Sequence, residues 1–232
     1  MGTFIKRWFW RILLLFIGGV LVYQSWIFSH VVYWNFYNPS SSAFMQDRLD
    51  ALRKRNAAAV LRAQWTPYDK ISPSLKRAII AAEDSKFLTH EGFDFEAIQN
   101  AYEKNLKRGR LVAGGSTISQ QLAKNLFLSG EKTPWRKIQE ALITLMLENV
   151  MSKRRILEIY LNVIEWGQGV FGAEAAARHY YGVSASTLTA EQAARLAAMI
   201  PNPRFYDKHR NTSWLSKKTG IIVSRMASAR IP

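Results

Sequence analysis

Residues 81–92 read AAEDSKFLTHEG, and the two acids inside this stretch, Glu83 and Asp84, decide how the surrounding chain is organised. The preceding segment predicts a helix, because Ser72 suits an N-cap, Pro73 suits the first helical position, and apolar residues then recur at helical spacing. Both acids therefore fall at the C-terminal end of that helix, where the backbone dipole is negative. The dipole and their mutual repulsion raise at least one pKa, which suits a carboxylate that transfers protons. A solvated acidic helix end is the alternative that the pair alone leaves open.

Residues 114–125 read GGSTISQQLAKN and predict a pliable glycine loop followed by a second helix. Ser116 or Thr117 would cap this helix. Thr117, Gln121 and Lys124 share one face, at positions i, i+4 and i+7. A hydroxyl, an amide and an ammonium group on one face are suited to hold a phosphate or a sugar.

A third helix is expected to start after Thr133 and Pro134. Its first turns carry Arg136, Lys137 and Glu140. Taken alone, these three side chains favour an ordinary ion pair on a surface helix, worth a few tenths of a kcal/mol.

The composition limits the classes of partner. The chain of 232 residues has room for one medium domain and an extra segment, and its formal net charge is +15. Such a basic protein binds polyanions, namely nucleic acid, anionic lipid or a phosphorylated substrate. The absence of cysteine excludes disulfides, thiolate metal sites and a cysteine nucleophile. The four histidines show no metal-ligand spacing, so no metal site is expected.

The N-terminus predicts a membrane anchor. Residues 1–11 are basic and residues 12–34 are mainly apolar with flanking aromatics, long enough for a spanning helix of about 20 residues. The positive flank places residues 1–11 in the cytoplasm and the remainder outside it. A cleaved signal peptide is the alternative, but no small-x-small cleavage site follows the apolar run. An outside location excludes nucleic acid as a partner and leaves membrane lipid headgroups and a phosphorylated lipid.

The rest of the chain indicates a mainly α fold without strands of any length. Residues 35–64 are expected to form a linker and a membrane-proximal helix over 44–63, and residues 65–232 a single domain. Further helices are predicted at 95–106, 153–162, 173–181, after the capping box that begins at Thr189, and at 213–228.

Four segments in order resemble the peptidoglycan glycosyltransferase family. They read E-D-x-x-F-x-x-H-x-G from Glu83, G-x-S-T-I-x-Q-Q-L-x-K-N from Gly114, R-K-x-x-E from Arg136 and K-x-x-I-L-E-x-Y-L-N from Lys153. The resemblance covers roughly residues 65–206 and implies a lysozyme-like helical domain whose smaller lobe dips into the membrane.

The length favours the monofunctional members of this family over the bifunctional class A penicillin-binding proteins. Matches to the transpeptidase motifs S-x-x-K at 129–132 and K-T-G at 218–220 are interpreted as accidental. Only 100 residues follow Lys132 (232 − 132), too few for a transpeptidase domain.

The resemblance implies that the substrate is lipid II, an undecaprenyl-diphosphate-linked disaccharide pentapeptide, and that the product is the β-1,4-linked growing glycan strand. The donor is α-linked to its pyrophosphate, so the reaction inverts and fits a single displacement with a general base. By motif position Glu83 is that base, and Glu140 is a second catalytic glutamate that orients cations or holds the pyrophosphate through a metal or water. Asp84 would hold the surroundings of Glu83 in place.

The resemblance also implies a set of substrate-binding residues. Cationic side chains would stabilise the leaving pyrophosphate, and polar ones would hydrogen-bond sugar or phosphate. The full substrate-binding set comprises Asp84, Ser116, Thr117, Gln121, Lys124, Asn125, Arg136 and Lys137. No cofactor is required, although a divalent cation, Mg or Mn, at the pyrophosphate is compatible with this chemistry.

Two other functions remain open from the sequence. A lysozyme-like or lytic transglycosylase would also need a glutamate of raised pKa, but its leaving group is a sugar and needs no cation cluster. A non-enzymatic scaffold for cell-wall synthesis would not need Glu83 or Gln121. For the synthase, we expect a single-pass protein of a bacterial inner membrane, with its catalytic domain in the periplasm and other cell-wall synthesis or division proteins as partners.

Overall fold

The computed structural model describes residues 2–110, 114–128, 130 and 133–232, without the side chains of residues 2, 3 and 5. The chain divides into two compact units, one ending at Asn38 and the other running from Pro39 to Pro232. Of the accidental transpeptidase match at 129–132, only Gly130 lies within the described residues.

The first unit is a single helix, α1, at Gly2–Phe36. Its segment Lys6–Phe36 spans 31 residues and contains an 18-residue window with a mean hydropathy of 1.9, so it is long and apolar enough to cross a membrane. The predicted anchor, residues 12–34, lies entirely within α1. The helix starts earlier than that anchor, because Trp8, Phe9 and Trp10 continue the apolar character toward the N-terminus.

The second unit is mainly helical, as the sequence predicts. Within the described residues it contains ten α-helices, namely α2 (Ala43–Arg53), α3 (Pro73–Glu83), α4 (Phe95–Arg108), α5 (Ile118–Phe127), α6 (Pro134–Val150), α7 (Lys153–Val163), α8 (Ala173–Tyr181), α9 (Ala190–Met199), α10 (Pro203–Lys208) and α11 (Ser213–Met226).

The predicted helix starts are confirmed by their caps. Ser72 accepts a hydrogen bond from the Ser74 amide and is followed by a proline at the first helical position. Thr117 and Thr189 each form a complete capping box, in which side chain and backbone satisfy each other across one turn. Thr133 caps α6 in the same way as Ser72 caps α3.

The helices pack in two groups that face each other. In one group, α3, α9 and α11 pack together, and α3 buries Leu75 and Ile79 completely. In the other, α5 packs against α6 and α7 and buries Ile118 and Leu122. Each such side chain contributes about 1.5–3 kcal/mol by leaving water. The C-terminal end of α3 is thereby held close to the polar face of α5.

A small sheet corrects the expectation of a chain without strands. β1 (Arg62–Ala63) pairs parallel with β3 (Val170–Phe171), which pairs antiparallel with β2 (Glu165–Gly167), giving the order β1-β3-β2. Strands of two or three residues are too short to show an alternating pattern, so they leave no periodic signal in the sequence.

One predicted helix boundary was also wrong. The helix expected over 44–63 ends at Arg53, and its second half forms turns and then β1. A short helix that was not predicted, α10, begins at Pro203. α9 ends at Met199, just before Pro201, and Pro203 is a favourable first residue of α10.

Two helices keep their apolar residues uncovered. On α4, Phe95 is 76% exposed, and Ile98, Tyr102 and Leu106 on the same helix are also exposed. On α6, Trp135 is 58% exposed, and Ile138, Leu142 and Leu145 are also exposed. Apolar residues at helical spacing normally face a core, so this uncovered surface calls for an apolar environment outside the domain.

Candidate active site

Glu83 is the last residue of α3 and lies at the floor of a cleft between the two helix groups. Its Oε2 accepts a hydrogen bond of 2.8 Å from Nε2 of Gln121 on α5. The amide oxygen of Gln121 in turn accepts a hydrogen bond of 2.9 Å from the hydroxyl of Tyr160, which is completely buried on α7. Three elements therefore fix the orientation of one carboxylate.

Burial raises the pKa of Glu83 above its ordinary value, and the neighbouring Asp84 carboxylate raises it further by a smaller amount. The hydrogen bond from Gln121 and the charges of Lys218 and Lys124 act in the opposite direction. The sequence correctly predicts the direction of this shift. Its main cause is burial rather than the helix dipole and the acid pair.

Asp84 is buried and acts as a brace between three segments. Its carboxylate accepts a hydrogen bond from Nε2 of His90 at 2.9 Å and another from the Ile118 amide at 3.0 Å. Nδ1 of His90 accepts from the Gly92 amide at 3.1 Å, so the neutral imidazole that fits both contacts carries its proton on Nε2. The side chain of Asp84 thus ties the end of α3 to the start of α5, consistent with the expected supporting role.

Two members of the predicted substrate-binding set have their polar groups engaged within the protein. The Thr117 hydroxyl donates to the Gly92 carbonyl at 2.7 Å and also caps α5. Nδ2 of Asn125 donates to the Gln121 carbonyl at 2.7 Å. These contacts give both side chains a structural role. Ser116, by contrast, is exposed and lines the cleft.

Gly92 is required where this network turns. Its φ is +90°, and an added Cβ would lie 2.7 Å from Cγ2 of Thr144 on α6. Only glycine allows the chain to pass α6 and present its carbonyl to Thr117.

The three charged residues at the start of α6 form a compact cluster. Glu140 is buried, and its Oε2 accepts a hydrogen bond of 2.7 Å from Nη1 of Arg136 while its Oε1 accepts one from Nζ of Lys137. Nε of Arg136 is buried and has no hydrogen-bond partner within the described residues. The cluster is therefore not the ordinary surface pair that the sequence alone favours. It holds two cations in place and leaves the buried Nε of Arg136 unpaired among the described residues.

Lys124 completes the positive region. Burial lowers the pKa of this lysine, and the charges of Arg136 and Lys137 lower it further, while Glu140 and Glu83 oppose the shift. Lys124 lines a cavity of about 530 Å³ together with Glu83, Gln121 and Glu140. The structure thus brings the expected base, the amide and the cationic residues of the motifs into one region.

Two residues of this cavity were missed by the sequence analysis. Trp214 and Lys218, both on α11, line it opposite α5. Trp214 stacks on Tyr206, with ring centroids 5.3 Å apart. The sequence signal was a weak basic helix at 213–228, and a one-turn spacing between an aromatic and a lysine is too common to indicate a site.

A second cavity of about 350 Å³ meets the first at Glu83. Glu83 and Ser116 line both cavities. The second is also lined by Ser85, Asp94 and Arg225. A carboxylate between two adjoining cavities is placed to act on two substrates at once.

The fourth motif supports this site without lining either cavity. Lys153 donates hydrogen bonds to the His90 carbonyl at 2.6 Å and to Glu148 at 2.8 Å. Asn162 exchanges two hydrogen bonds with the Thr66 backbone, at 2.8 and 3.0 Å. The polar residues of the motif therefore hold α7 against the segment that carries His90 and against the segment around Thr66.

The donor set of the cleft does not fit a resident divalent cation. Among the described residues no group of three or more acids or histidines is arranged to hold a metal ion. Glu140 is the carboxylate beside the cations of α6, and both of its oxygens already accept hydrogen bonds from Arg136 and Lys137.

A partly buried carboxylate between two cavities, one of them lined with cations, is an arrangement on this helical scaffold that suits a group-transfer enzyme. Comparisons with known proteins agree and are more specific. The family model described as transglycosylase matches residues 51–227. The chain therefore belongs to the transglycosylase family, and its lysozyme-like helical fold is as expected.

Similar curated proteins carry one name. A biosynthetic peptidoglycan transglycosylase of Nitrosospira multiformis is 76% identical over 99% of this chain and 100% of its own length. Proteins of the same name from Methylobacillus flagellatus and Nitrosomonas eutropha are 65% and 61% identical, each over 98% of this chain.

Proposed function

We propose that this protein polymerises lipid II into β-1,4-linked glycan strands of peptidoglycan and releases undecaprenyl diphosphate. The observation that carries the proposal is the placement of Glu83 between two cavities, beside the cations of α5 and α6. The full-length similarity to proteins named biosynthetic peptidoglycan transglycosylase supports it.

Glu83 acts as the general base. Its hydrogen bond from Gln121 engages Oε2 and leaves Oε1 to receive the proton of the acceptor hydroxyl, the 4-hydroxyl of a GlcNAc unit. A raised pKa makes its carboxylate a stronger base than an exposed glutamate, because the proton it accepts is held more tightly. The hydroxyl oxygen then attacks the anomeric carbon of the donor, and the bond from that carbon to the pyrophosphate breaks with inversion.

The cationic cavity holds the leaving pyrophosphate. Lys124 lines this cavity, and the charges of Arg136 and Lys137 lie close behind it, so all three stabilise the oxygens that gain negative charge in the transition state. Glu140 keeps Arg136 and Lys137 in fixed positions, which is the orienting role expected for the second glutamate. A glycan-cleaving enzyme has a sugar as its leaving group and no use for this cluster, so the cations favour the synthase.

No cofactor takes part in the proposed reaction. Arg136, Lys137 and Lys124 supply the positive charge that a divalent cation, Mg or Mn, would otherwise provide. An ion that accompanies the pyrophosphate would be bound by the substrate and not by a carboxylate cluster of the protein.

The proposed location is the bacterial inner membrane, with α1 as a single-pass anchor, the N-terminus in the cytoplasm and the catalytic domain in the periplasm. The basic residues before the apolar segment support this orientation. The uncovered apolar side chains of α4 and α6 suit contact with membrane lipid, which would bring the cleft to its lipid-linked substrate. Other cell-wall synthesis or division proteins are proposed as partners, and nucleic acid is not.

The test compares wild-type protein, Glu83→Gln and Glu191→Gln in detergent with fluorescent lipid II. Glu191 is an exposed glutamate at the start of α9 that lines neither cavity, so it serves as the matched control. We expect a ladder of products that lysozyme digests for wild type and control, and its loss in Glu83→Gln. Fragments released from preformed glycan instead of polymer would overturn the proposal in favour of a lytic enzyme, and inactivity of the folded wild type in both assays would favour a scaffold.

A further inference from the structure

A second cationic cavity lies at the junction of α2, the β2–β3 turn and α10, and it shares no lining residue with the cleft. We propose that it binds the headgroup of an anionic phospholipid, with the phosphate on its cations and a headgroup hydroxyl on Glu165. Its volume of about 360 Å³ is within the range of small-ligand sites.

The charge of this cavity selects an anion. Arg48, Arg55, Arg204 and Lys208 line it against the single carboxylate of Glu165. Arg48 is engaged by that carboxylate. The other three cations form no salt bridge within the described residues, so they are available to a phosphate group.

Glu165 adds a second requirement to the ligand. Its side chain is 4% exposed, and its Oε2 accepts a hydrogen bond from Nε of Arg48 at 3.1 Å. The Gly169 amide also lies beside this carboxylate, but the other oxygen, Oε1, is buried and makes no hydrogen bond of full geometry in the part of the chain that the structure describes. Buried acceptors are nearly always satisfied, so Oε1 calls for a donor that a bound molecule would bring. A ligand that fits therefore carries both an anion and a hydroxyl or amine group.

The apolar residues that line this cavity favour a lipid over a free phosphate ester as its ligand. Leu52 and Phe205 give the cavity an apolar side beside its cations, which suits the glycerol ester region of a lipid better than a wholly polar solute. Phosphatidylglycerol combines all three features, because its phosphodiester is anionic and its terminal glycerol bears hydroxyl donors. Basic pockets of this kind are a known physical means of recognising anionic headgroups.

The experiment measures calorimetric binding to the full-length protein in a neutral detergent. The probes are dioctanoyl phosphatidylglycerol, glycerol 1-phosphate and methyl phosphate, which lacks the hydroxyl donors. The test variant is Arg204→Gln/Lys208→Gln. The matched control, Lys70→Gln/Arg77→Gln, removes the same charge from exposed positions outside the described cavities. Thermal unfolding of each variant checks that it folds.

We expect saturable binding of phosphatidylglycerol, weakened at least tenfold in the test variant and less than twofold in the control. We also expect glycerol 1-phosphate to bind more tightly than methyl phosphate, and the lipid more tightly than either. Equal losses in the two variants would overturn the site. Equal affinities of the two small esters would overturn the role of Glu165, and equal affinities of lipid and glycerol 1-phosphate would identify a free phosphate ester as the occupant instead.

Discussion

Nε2 of Gln121 and Oε2 of Glu83 are joined by a hydrogen bond of 2.8 Å, and this contact links α5 to the end of α3. The amide of Gln121 could present either its oxygen or its nitrogen to Glu83. Tyr160 decides between them, because its hydroxyl donates to the amide oxygen and so turns the nitrogen toward the carboxylate. A buried tyrosine on a third helix therefore fixes the amide that holds the carboxylate of the proposed base in its orientation.

Replacing Tyr160 with Phe should lower the rate of glycan polymerisation about tenfold, which corresponds to about 1.4 kcal/mol in the barrier. Without the hydroxyl, the buried amide oxygen of Gln121 loses its donor, and the amide is held less firmly against the carboxylate of Glu83. Initial rates at saturating lipid II measure the effect. Tyr180→Phe is the control, since its hydroxyl contacts the Trp166 carbonyl and Asp207 and it lines neither cavity of the cleft. An equal loss in both variants would contradict the role given to Tyr160.

Replacing Glu83 with Gln should stabilise the protein while abolishing activity. Because the pKa of Glu83 is raised in the folded state, the folded protein binds its proton more tightly than the unfolded chain does. Its contribution to stability is therefore present at low pH and is lost as pH rises above that pKa. Thermal unfolding at pH 8 should show a melting temperature higher by about 2–4 °C for each 1 kcal/mol gained. The difference should shrink toward pH 4.5, the ordinary pKa of a glutamate.

The charge of Lys218 should be visible in the pH dependence of the reaction. This lysine lowers the pKa of Glu83, so Lys218→Met should let that pKa rise further. Since the base acts as a carboxylate, the acidic limb of the kcat/KM profile should move to higher pH. Lys217→Met removes an equal charge from the next, exposed position, which does not line the cleft, and should leave the limb in place. An unmoved limb in Lys218→Met would contradict the electrostatic coupling.

The sequence predicts the elements that have local signals. Caps such as Ser72 and Thr117 act within one turn of the chain, so both helix starts are readable without knowledge of the fold. The motif residues Glu83, Gln121 and Arg136 are likewise found, through the family resemblance. Their hydrogen bonds, however, depend on how α3 and α5 pack.

Contacts between distant segments leave no local signal. Tyr160 lies 39 residues from Gln121 in the chain, and nothing in its surroundings indicates the bond to the amide. Lys218 and Trp214 reach the cleft only because α11 packs on α3 and α9. The hydrogen bonds of the Thr117 and Asn125 side chains to backbone carbonyls likewise appear only in the folded structure.

Arg136 should not be replaceable by lysine. The guanidinium bonds Glu140 through Nη1 and presents its other donors in a fixed plane, and a lysine ammonium cannot keep that geometry. We expect Arg136→Lys to lower kcat about 10–100-fold, because the lost hydrogen bond acts on the leaving group in the transition state. Steady-state kinetics with lipid II separate kcat from KM. Arg195→Lys, on α9 and outside the described cavities, should have no effect.

Asp84 should be more important for folding than any exposed acid. Asp84→Asn replaces one accepting oxygen by an NH2 group, which leaves the His90 or the Ile118 donor without its buried acceptor. A loss of about 2–4 kcal/mol in the free energy of unfolding is expected. Denaturant unfolding in detergent measures it. Asp69→Asn at the exposed pair with Arg154 should cost less than about 1 kcal/mol. Similar losses for both would show that Asp84 is not a brace.

The uncovered apolar face of α6 should insert into lipid. The chain contains no cysteine, so a single introduced cysteine carries an environment-sensitive fluorophore without removing any other residue. A label at Ile138→Cys should shift its emission to the blue in lipid nanodiscs, because that side chain is 53% exposed among other apolar residues. A label at Thr187→Cys, on the exposed turn before α9, should report water in the same nanodiscs. Matching spectra at the two positions would show that α6 stays outside the bilayer, and the cleft would then have to reach its substrate in another way.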